Sequence, residues 1–277
     1  MDRIQKALDK AKEAQKSESV EPSAIVQKPT LTQQREPEST AELDSIAYTK
    51  TKVVNVTADQ LADKRVIAAQ YNNHQSGVFR MLRTQVLQKM RNNNWQTLAI
   101  TSPTAGEGKS LVASNLAVAM AMELNQTVLL VDMDLRNPRL NDYFNLKANV
   151  GLKDYLEGDL NLADVLVNPS IKRMVMLPGV GRAEDSAELL SSPKMSHLVS
   201  DLKSQYDSRM IIFDMPPVLQ TDDVLLASKY IDCMLLVLED GKNKEAEIVK
   251  TMQLVEGNNL LGTVLNKSEK PPMHQSY

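Results

Sequence analysis

"TSPTAGEGKS", residues 101–110, lies between the apolar run "TLAI" and the helix pattern "LVASNLAVAMAMEL". It ends in the Gly-Lys-Ser of a phosphate loop, although Pro103 stands where the usual first glycine would be. Binding a phosphate takes inward-pointing backbone amides, a helix N-terminus and a cation. Gly106 and Gly108 leave the backbone free to wrap an anion, Lys109 brings the charge, and Ser110 offers a hydroxyl to Mg²⁺. A strand before the loop and a helix after it supply the required context. The candidate nucleotide-binding residues are therefore Thr104, Ala105, Gly106, Glu107, Gly108, Lys109, Ser110 and Leu111.

Carboxylates complete the pattern. In "VLLVDMDLRNPRL" (128–140) a buried strand ends in Asp132 and Asp134, which point the same way if the chain is extended. In "MIIFDMPPV" another apolar strand ends in Asp214, followed by Pro216 and Pro217. Such strand-end acids suit Mg²⁺, which takes oxygen ligands and keeps several waters. The candidate metal set is Ser110, Asp132, Asp134 and Asp214; solvated or helix-capping aspartates are the plain alternative. Open α/β sheets gather such residues in one crevice at the carboxyl ends of their strands.

From about residue 76 onward helix and strand signals alternate. Short apolar runs "TLAIT", "TVLLV", "MVML", "MIIF", "CMLLVL" and "LLGTVLN" read as strands covered on both faces. Helix patterns fall at about 76–90, 109–124, 186–204, 222–229 and 243–256. The alternation predicts an α/β fold with a doubly wound, mainly parallel sheet over residues 76–270. Ahead of it, residues 1–16 carry a weakly amphipathic helix pattern, and 17–45 are Ser-, Thr-, Gln-, Glu- and Pro-rich, the composition of a disordered linker. Residues 46–75 read as a docking segment, with "KVVNV" extended and a helix from Ala58 to about Ala69; residues 271–277 form a tail.

The 277 residues suffice for a full core, and a formal charge of −3 gives no general electrostatic case for nucleic acid. The single cysteine, Cys233, excludes an internal disulfide and sits in a strand pattern, which predicts a cytoplasmic home. No apolar run reaches the roughly 20 residues of a membrane span, and "MDRIQKALDK" lacks the apolar middle of a signal peptide. His74, His197 and His274 lack metal-ligand spacing.

Taken together, "TSPTAGEGKS", "VDMDLRNP" and "FDMPPVLQTDD", with "GLKDYLEGDLNLADVL", "AELLSSPKM" and "GTVLNK" beside them, resemble the bacterial tyrosine kinases (BY-kinases) of capsule and exopolysaccharide synthesis. The resemblance covers about residues 76–270. It implies the deviant Walker A, MinD/ParA-like class of P-loop NTPase, with ATP and Mg²⁺, and γ-phosphoryl transfer to tyrosines of another copy. It assigns Lys109, Asp132 and Asp134 to catalysis, without separating the two acids, and Asp214 to the metal. It also implies a homo-oligomer and a membrane-embedded chain-length activator as partner, so that the chain would reach the membrane through that partner. The family's tyrosine-rich tail is here reduced to "PPMHQSY", leaving Tyr277 as the candidate acceptor. Its oligomerisation helix reads Glu-x-x-Arg-x-x-Arg, whereas Gly77 precedes Arg80 and Arg83. Those two arginines are candidates for an oligomer interface or for an ordinary solvated helix face.

Three rivals remain. Partitioning and division-site ATPases carry a signature lysine early in the loop, where this chain has Thr104. A GTPase is disfavoured because "NKSE" (266–269) puts Glu269 where guanine recognition takes Asp; Asn266 is left to touch an adenine edge or to cap a strand. An ATP-switched, non-catalytic regulator of polysaccharide export would use the same loop.

Overall fold

Strands buried on both faces need apolar side chains along their length, and five of the six runs named above meet that demand. The sixth, "LLGTVLN", expected to be covered on both faces, lies instead at the sheet edge with one face open, Leu265 being 59% exposed. In the computed structural model, which describes residues 51–204 and 209–268, the six runs form β2 (Thr97–Thr101), β3 (Thr127–Asp132), β5 (Met174–Leu177), β6 (Arg209–Asp214), β7 (Cys233–Glu239) and β8 (Leu260–Asn266). Two further strands, β1 (Lys52–Val53) and β4 (Val167–Asn168), are two residues long. The eight lie in one sheet in the order β1-β4-β5-β3-β6-β2-β7-β8, parallel throughout except for the β4–β5 pair. The expected helix at 1–16, the linker at 17–45, the start of the docking segment and the tail with Tyr277 lie outside the described residues.

Period-two alternation along the central strands divides the core between two faces. Leu98 and Ile100 of β2 and Val128 and Leu130 of β3 point to one side, where α1 (Ala58–Asp63), α2 (His74–Asn92) and α3 (Lys109–Ala121) pack. Ala99, Leu129 and Val131 point to the other, against α5 (Leu152–Glu157), α7 (Ser186–Ser191) and α8 (Pro193–Ser204). Between these runs lie the short α4 (Leu140–Tyr143), α6 (Leu162–Val165) and α9 (Asp223–Ala227), and α10 (Glu245–Leu254) precedes β8. The doubly wound architecture expected from the alternation is the one observed.

Two helices differ from their sequence patterns for local reasons. The segment expected to run to Ala69 ends at Asp63, because Arg65 takes a left-handed φ of 62° that no helix continues through. The 186–204 pattern breaks at Ser192, whose extended backbone (ψ 152°) precedes Pro193, as the proline ring demands.

Residues 51–68 belong physically to the same core, since Val56, Leu61, Val66 and Ala68 pack with the phosphate-loop helix α3. Asn115 on α3 holds them there. Its Oδ1 accepts from the amides of Ile67 (2.8 Å) and Ala68 (3.1 Å), and its Nδ2 donates to Arg65 O (2.9 Å). Asn115→Ala would strand two buried amides, at a cost of about 2–4 kcal/mol. Urea melts are expected to register that loss; a midpoint equal to wild type would mean the segment is held by packing alone. Cys233 is buried and unpaired, and burial pushes its thiol up to about 12, so it is inert.

Candidate active site: a phosphate loop facing three strand-end carboxylates

Because β2, β3 and β6 run parallel, their carboxyl ends share one rim of the sheet. Register does the rest. Asp132 of β3 is the direct partner of Asp214 of β6, and Asp214 lies one residue beyond the pairing of Ala99 with Phe213. The loop leaving β2 reaches the same rim and opens α3. Gly106 and Gly108 hold φ values of 89° and 95°, the left-handed region that turns the loop amides toward the rim. A Cβ on Gly108 would also come within 2.2 Å of Asn266 Nδ2.

At the centre of the site, Lys109 Nζ pairs with Asp134 Oδ2 at 2.7 Å and lies 4.0 Å from Asp214 Oδ1 and 3.5 Å from Ser110 Oγ. Asp134 Oδ1 accepts from the Asn137 amide at 3.1 Å. Asp132 Oδ2 accepts from the amides of Arg139 and Leu140, both at 3.0 Å, so this acid does cap the turn into α4. Its Oδ1 is buried with no hydrogen-bond partner among the described residues, while the equally buried Asp214 carboxyl is met by the Lys109 ammonium and the Ser110 hydroxyl. Gly179 of the "PGVGR" turn walls Asp132 in: a Cβ there would lie 3.1 Å from the Asp132 Cγ.

Burial, and then the neighbouring Asp214 charge, raises the Asp132 carboxyl far above the ordinary range. Burial likewise raises Asp214, with the Lys109 ammonium opposing it. Burial would lower Lys109, but Asp214 and Asp134 outweigh it and the ammonium ends above its usual value. One ammonium thus faces three carboxyl groups, two of them held back from ionising by burial until more positive charge arrives. That arrangement fits a hard divalent cation. Among the described residues no group of three or more His, Cys, Asp or Glu closes into a metal cage.

The cleft above has a volume of about 710 Å³ and is lined by Ala105, Gly106, Gly108, Lys109, Ser110 and Asp134 on the loop side, with Arg136, Arg139, Tyr143, Pro217 and Thr221 opposite. Asp132 and Asp214 lie beneath this surface. Of the other expected nucleotide residues, Thr104 donates through both its amide and its hydroxyl to Glu107 Oε1, and Glu107 points into the protein, where Asn243 Nδ2 donates to it at 2.7 Å. Leu111 is partly buried on α3, and Asn266 Nδ2 donates to Glu107 O at 2.7 Å. Arg80 and Arg83 do not line the cleft. Arg80 donates to Ser76 Oγ at 2.7 Å, and Arg83 pairs with Glu123 at 2.8 Å.

Sequence reasoning passed over Arg139 and Tyr143, cleft residues on and before a helix of four residues, too short for periodicity to reveal. It also passed over Lys242 and Lys267. Their signal was position: both follow strands that end on the rim of the phosphate loop.

A comparison with protein-family models matches residues 93–268 to the ParA family, described as NUBPL iron-transfer P-loop NTPase. The tyrosine-protein kinase YwqD of Bacillus subtilis is 32% identical over 201 residues, 72% of this chain and 83% of that protein. The chain belongs to the bacterial tyrosine-kinase family. Its enzyme class is that of a protein-tyrosine kinase, on a ParA-like P-loop NTPase fold that binds nucleotide. Among solved structures, the kinase domain of the Escherichia coli tyrosine kinase ETK superposes with a TM-score of 0.69 at 26% identity, covering 88% of this chain and 99% of that one. The chimerical protein CapA2B2 does so with a TM-score of 0.68 at 30% identity, covering 79% and 94%.

Proposed function

We propose that the cleft binds ATP with Mg²⁺ and passes the γ-phosphoryl group to a tyrosine hydroxyl presented by another copy of the chain. The observation that carries this reading is the convergence of the buried Asp132 and Asp214 carboxyls, with Asp132 Oδ1 left without a hydrogen-bond partner, on the Lys109–Asp134 pair at the phosphate loop. Lys109 and the loop amides would face the β and γ phosphates, and Ser110, Asp132, Asp134 and Asp214 are the residues that would hold the metal. Magnesium, when bound, offsets charge on the transferring group. Asp134 stands on the cleft wall, where an entering hydroxyl would meet it, and so is the acid assigned to take the tyrosine proton. The phosphorus–oxygen bond to tyrosine then forms as the bond to the β-phosphate's bridging oxygen breaks.

The family resemblance extends the proposal to control of capsule or exopolysaccharide synthesis and export, with a membrane-embedded activator as partner and association between copies. Among the described residues no helix is long and apolar enough to cross a membrane. The proposed location is the cytoplasm, at the membrane through that partner.

Incubation with labelled ATP and Mg²⁺, followed by phosphotyrosine detection on wild type and Tyr277→Phe, tests the reading. Wild type is expected to become labelled. Label surviving in Tyr277→Phe would move the acceptor to another tyrosine. No label in either, with ATP still bound, would leave an ATP-switched regulator in place of the active kinase.

A further inference from the structure

A phosphate loop works only while its amides face inward, and that geometry turns its carbonyls outward, where each needs a donor. Here every outward carbonyl from 102 to 108 has one. Ser102 O accepts from the Val218 amide (2.9 Å), Pro103 O from Leu219 (3.1 Å), Thr104 O from Ser102 Oγ (2.7 Å) and Gly108 O from Val112 (2.9 Å). The three in the middle are met by side chains from one place, the ends of β7 and β8. Lys242 Nζ donates to Ala105 O at 2.6 Å, Lys267 Nζ to Gly106 O at 2.7 Å, and Asn266 Nδ2 to Glu107 O at 2.7 Å. The amides of Ala105, Gly106, Glu107 and Gly108 donate to no protein acceptor among the described residues.

Two features single out the lysines. Glu239, the last residue of β7, places Oε2 at 3.0 Å from Lys267 Nζ and 3.4 Å from Lys242 Nζ, so one carboxylate brackets both. Lys267 also adopts a φ of 59°, a conformation unfavourable for any residue with a Cβ, and from it reaches back to the loop. We propose that Lys242 and Lys267, bracketed by Glu239, are positioning residues that hold the phosphate loop in its amide-inward shape before nucleotide arrives. They touch only the back of the loop and act through it. The inference rests on the nucleotide-binding reading of the cleft.

The test uses the full chain carrying Lys242→Ala together with Lys267→Gly. Glycine removes the ammonium and relieves the left-handed backbone, so the melting temperature is not expected to suffer from residue 267. In nucleotide-free protein, the ¹⁵N order parameters of Gly106 and Gly108 are expected to fall from the rigid range near ~0.85 toward ~0.6. The KM for ATP is expected to rise roughly tenfold with kcat little changed, because ordering of the loop then falls on the binding step. The Lys242→Arg, Lys267→Arg pair, which keeps both donors, is expected to restore rigidity and KM. Order parameters that stay at wild-type values in the Ala/Gly variant overturn the proposal, whatever the kinetics. A failure of the nucleotide reading would show separately, as wild-type Gly106 and Gly108 signals that ignore added ATP.

Discussion

Lys109→Met is expected to lower ATP-dependent tyrosine phosphorylation by roughly a thousandfold or more while the chain still folds. Methionine fills nearly the same volume, so α3 keeps its packing, but the cation proposed to face the β and γ phosphates is gone. The loss reaches beyond the phosphates. Lys109 is the ion-pair partner of Asp134 and lies within 4.0 Å of Asp214, so its removal leaves a buried carboxylate cluster uncompensated. With no ammonium to oppose burial, the raised carboxyl of Asp214 climbs further. The variant is therefore expected to lose about 3 kcal/mol at neutral pH, a loss that shrinks as acid neutralises the cluster. Initial rates of phosphotyrosine formation, with circular dichroism to report folding, decide the matter. A folded Lys109→Met with the wild-type rate would remove this cleft from the chemistry.

Asp214→Asn is expected to have opposite effects on activity and stability. Asp214 is fully buried and has its carboxyl pushed up to about 6 by burial, with the Lys109 ammonium and then the Ser110 hydroxyl opposing. A raised acid favours the protonated form in the folded state. Its contribution to stability is complete below the unfolded value near 3.8 and is lost as pH rises through about 6. Asp132, raised to about 8 by burial and by Asp214, extends that decline upward. In EDTA, then, wild type is expected to weaken from pH 4 toward pH 8. Asp214→Asn is expected to flatten that decline and to be the more stable at pH 8 by up to about 3 kcal/mol, an upper figure since the amide is also buried. Its Mg²⁺-dependent rate is expected to fall by about 10²- to 10⁴-fold, because an amide neither neutralises nor orders the metal. Urea melts at pH 5 and pH 8 with parallel kinase assays check both halves. A variant that is less stable at pH 8, or one that retains its rate with Mg²⁺, would show that Asp214 is a structural acid only. Stability given up at an active site in this way is the usual cost of holding uncompensated charge for a ligand.

Much of this was legible in the chain itself. Five of the long strands appear as unbroken apolar runs because a doubly covered strand has no polar face to interrupt it; the edge strand β8 carries Thr263 on its open side instead. "TSPTAGEGKS" announces a phosphate loop because its chemistry is local: two glycines, a lysine and a serine act within a few residues of one another. The paired acids of "VDMDLRNP" and the acid of "FDMPP" were placed at strand ends by the same logic. What stayed hidden was short or relational. The two-residue β1 and β4 and the four-residue α4 fall below any period. The stop at Arg65 depends on a left-handed residue that its identity does not announce. Beyond the adenine contact or strand cap its sequence suggests, Asn266 also donates its side-chain amide to the carbonyl of Glu107, a long-range contact with no local signature.

The amino-acid sequence determined by itself the fold class, the phosphate-loop pattern and the candidate acids, since these follow from periodicity and from chemistry between near neighbours. Only the tertiary structure decided that Asp132 and Asp214 sit side by side in register, that Asp134 alone of the three acids lines the cleft, and that two lysines more than a hundred residues away close over the back of the loop. The reason is physical. Strand order and register are set by packing summed over the whole sheet, and no local run of residues carries that sum.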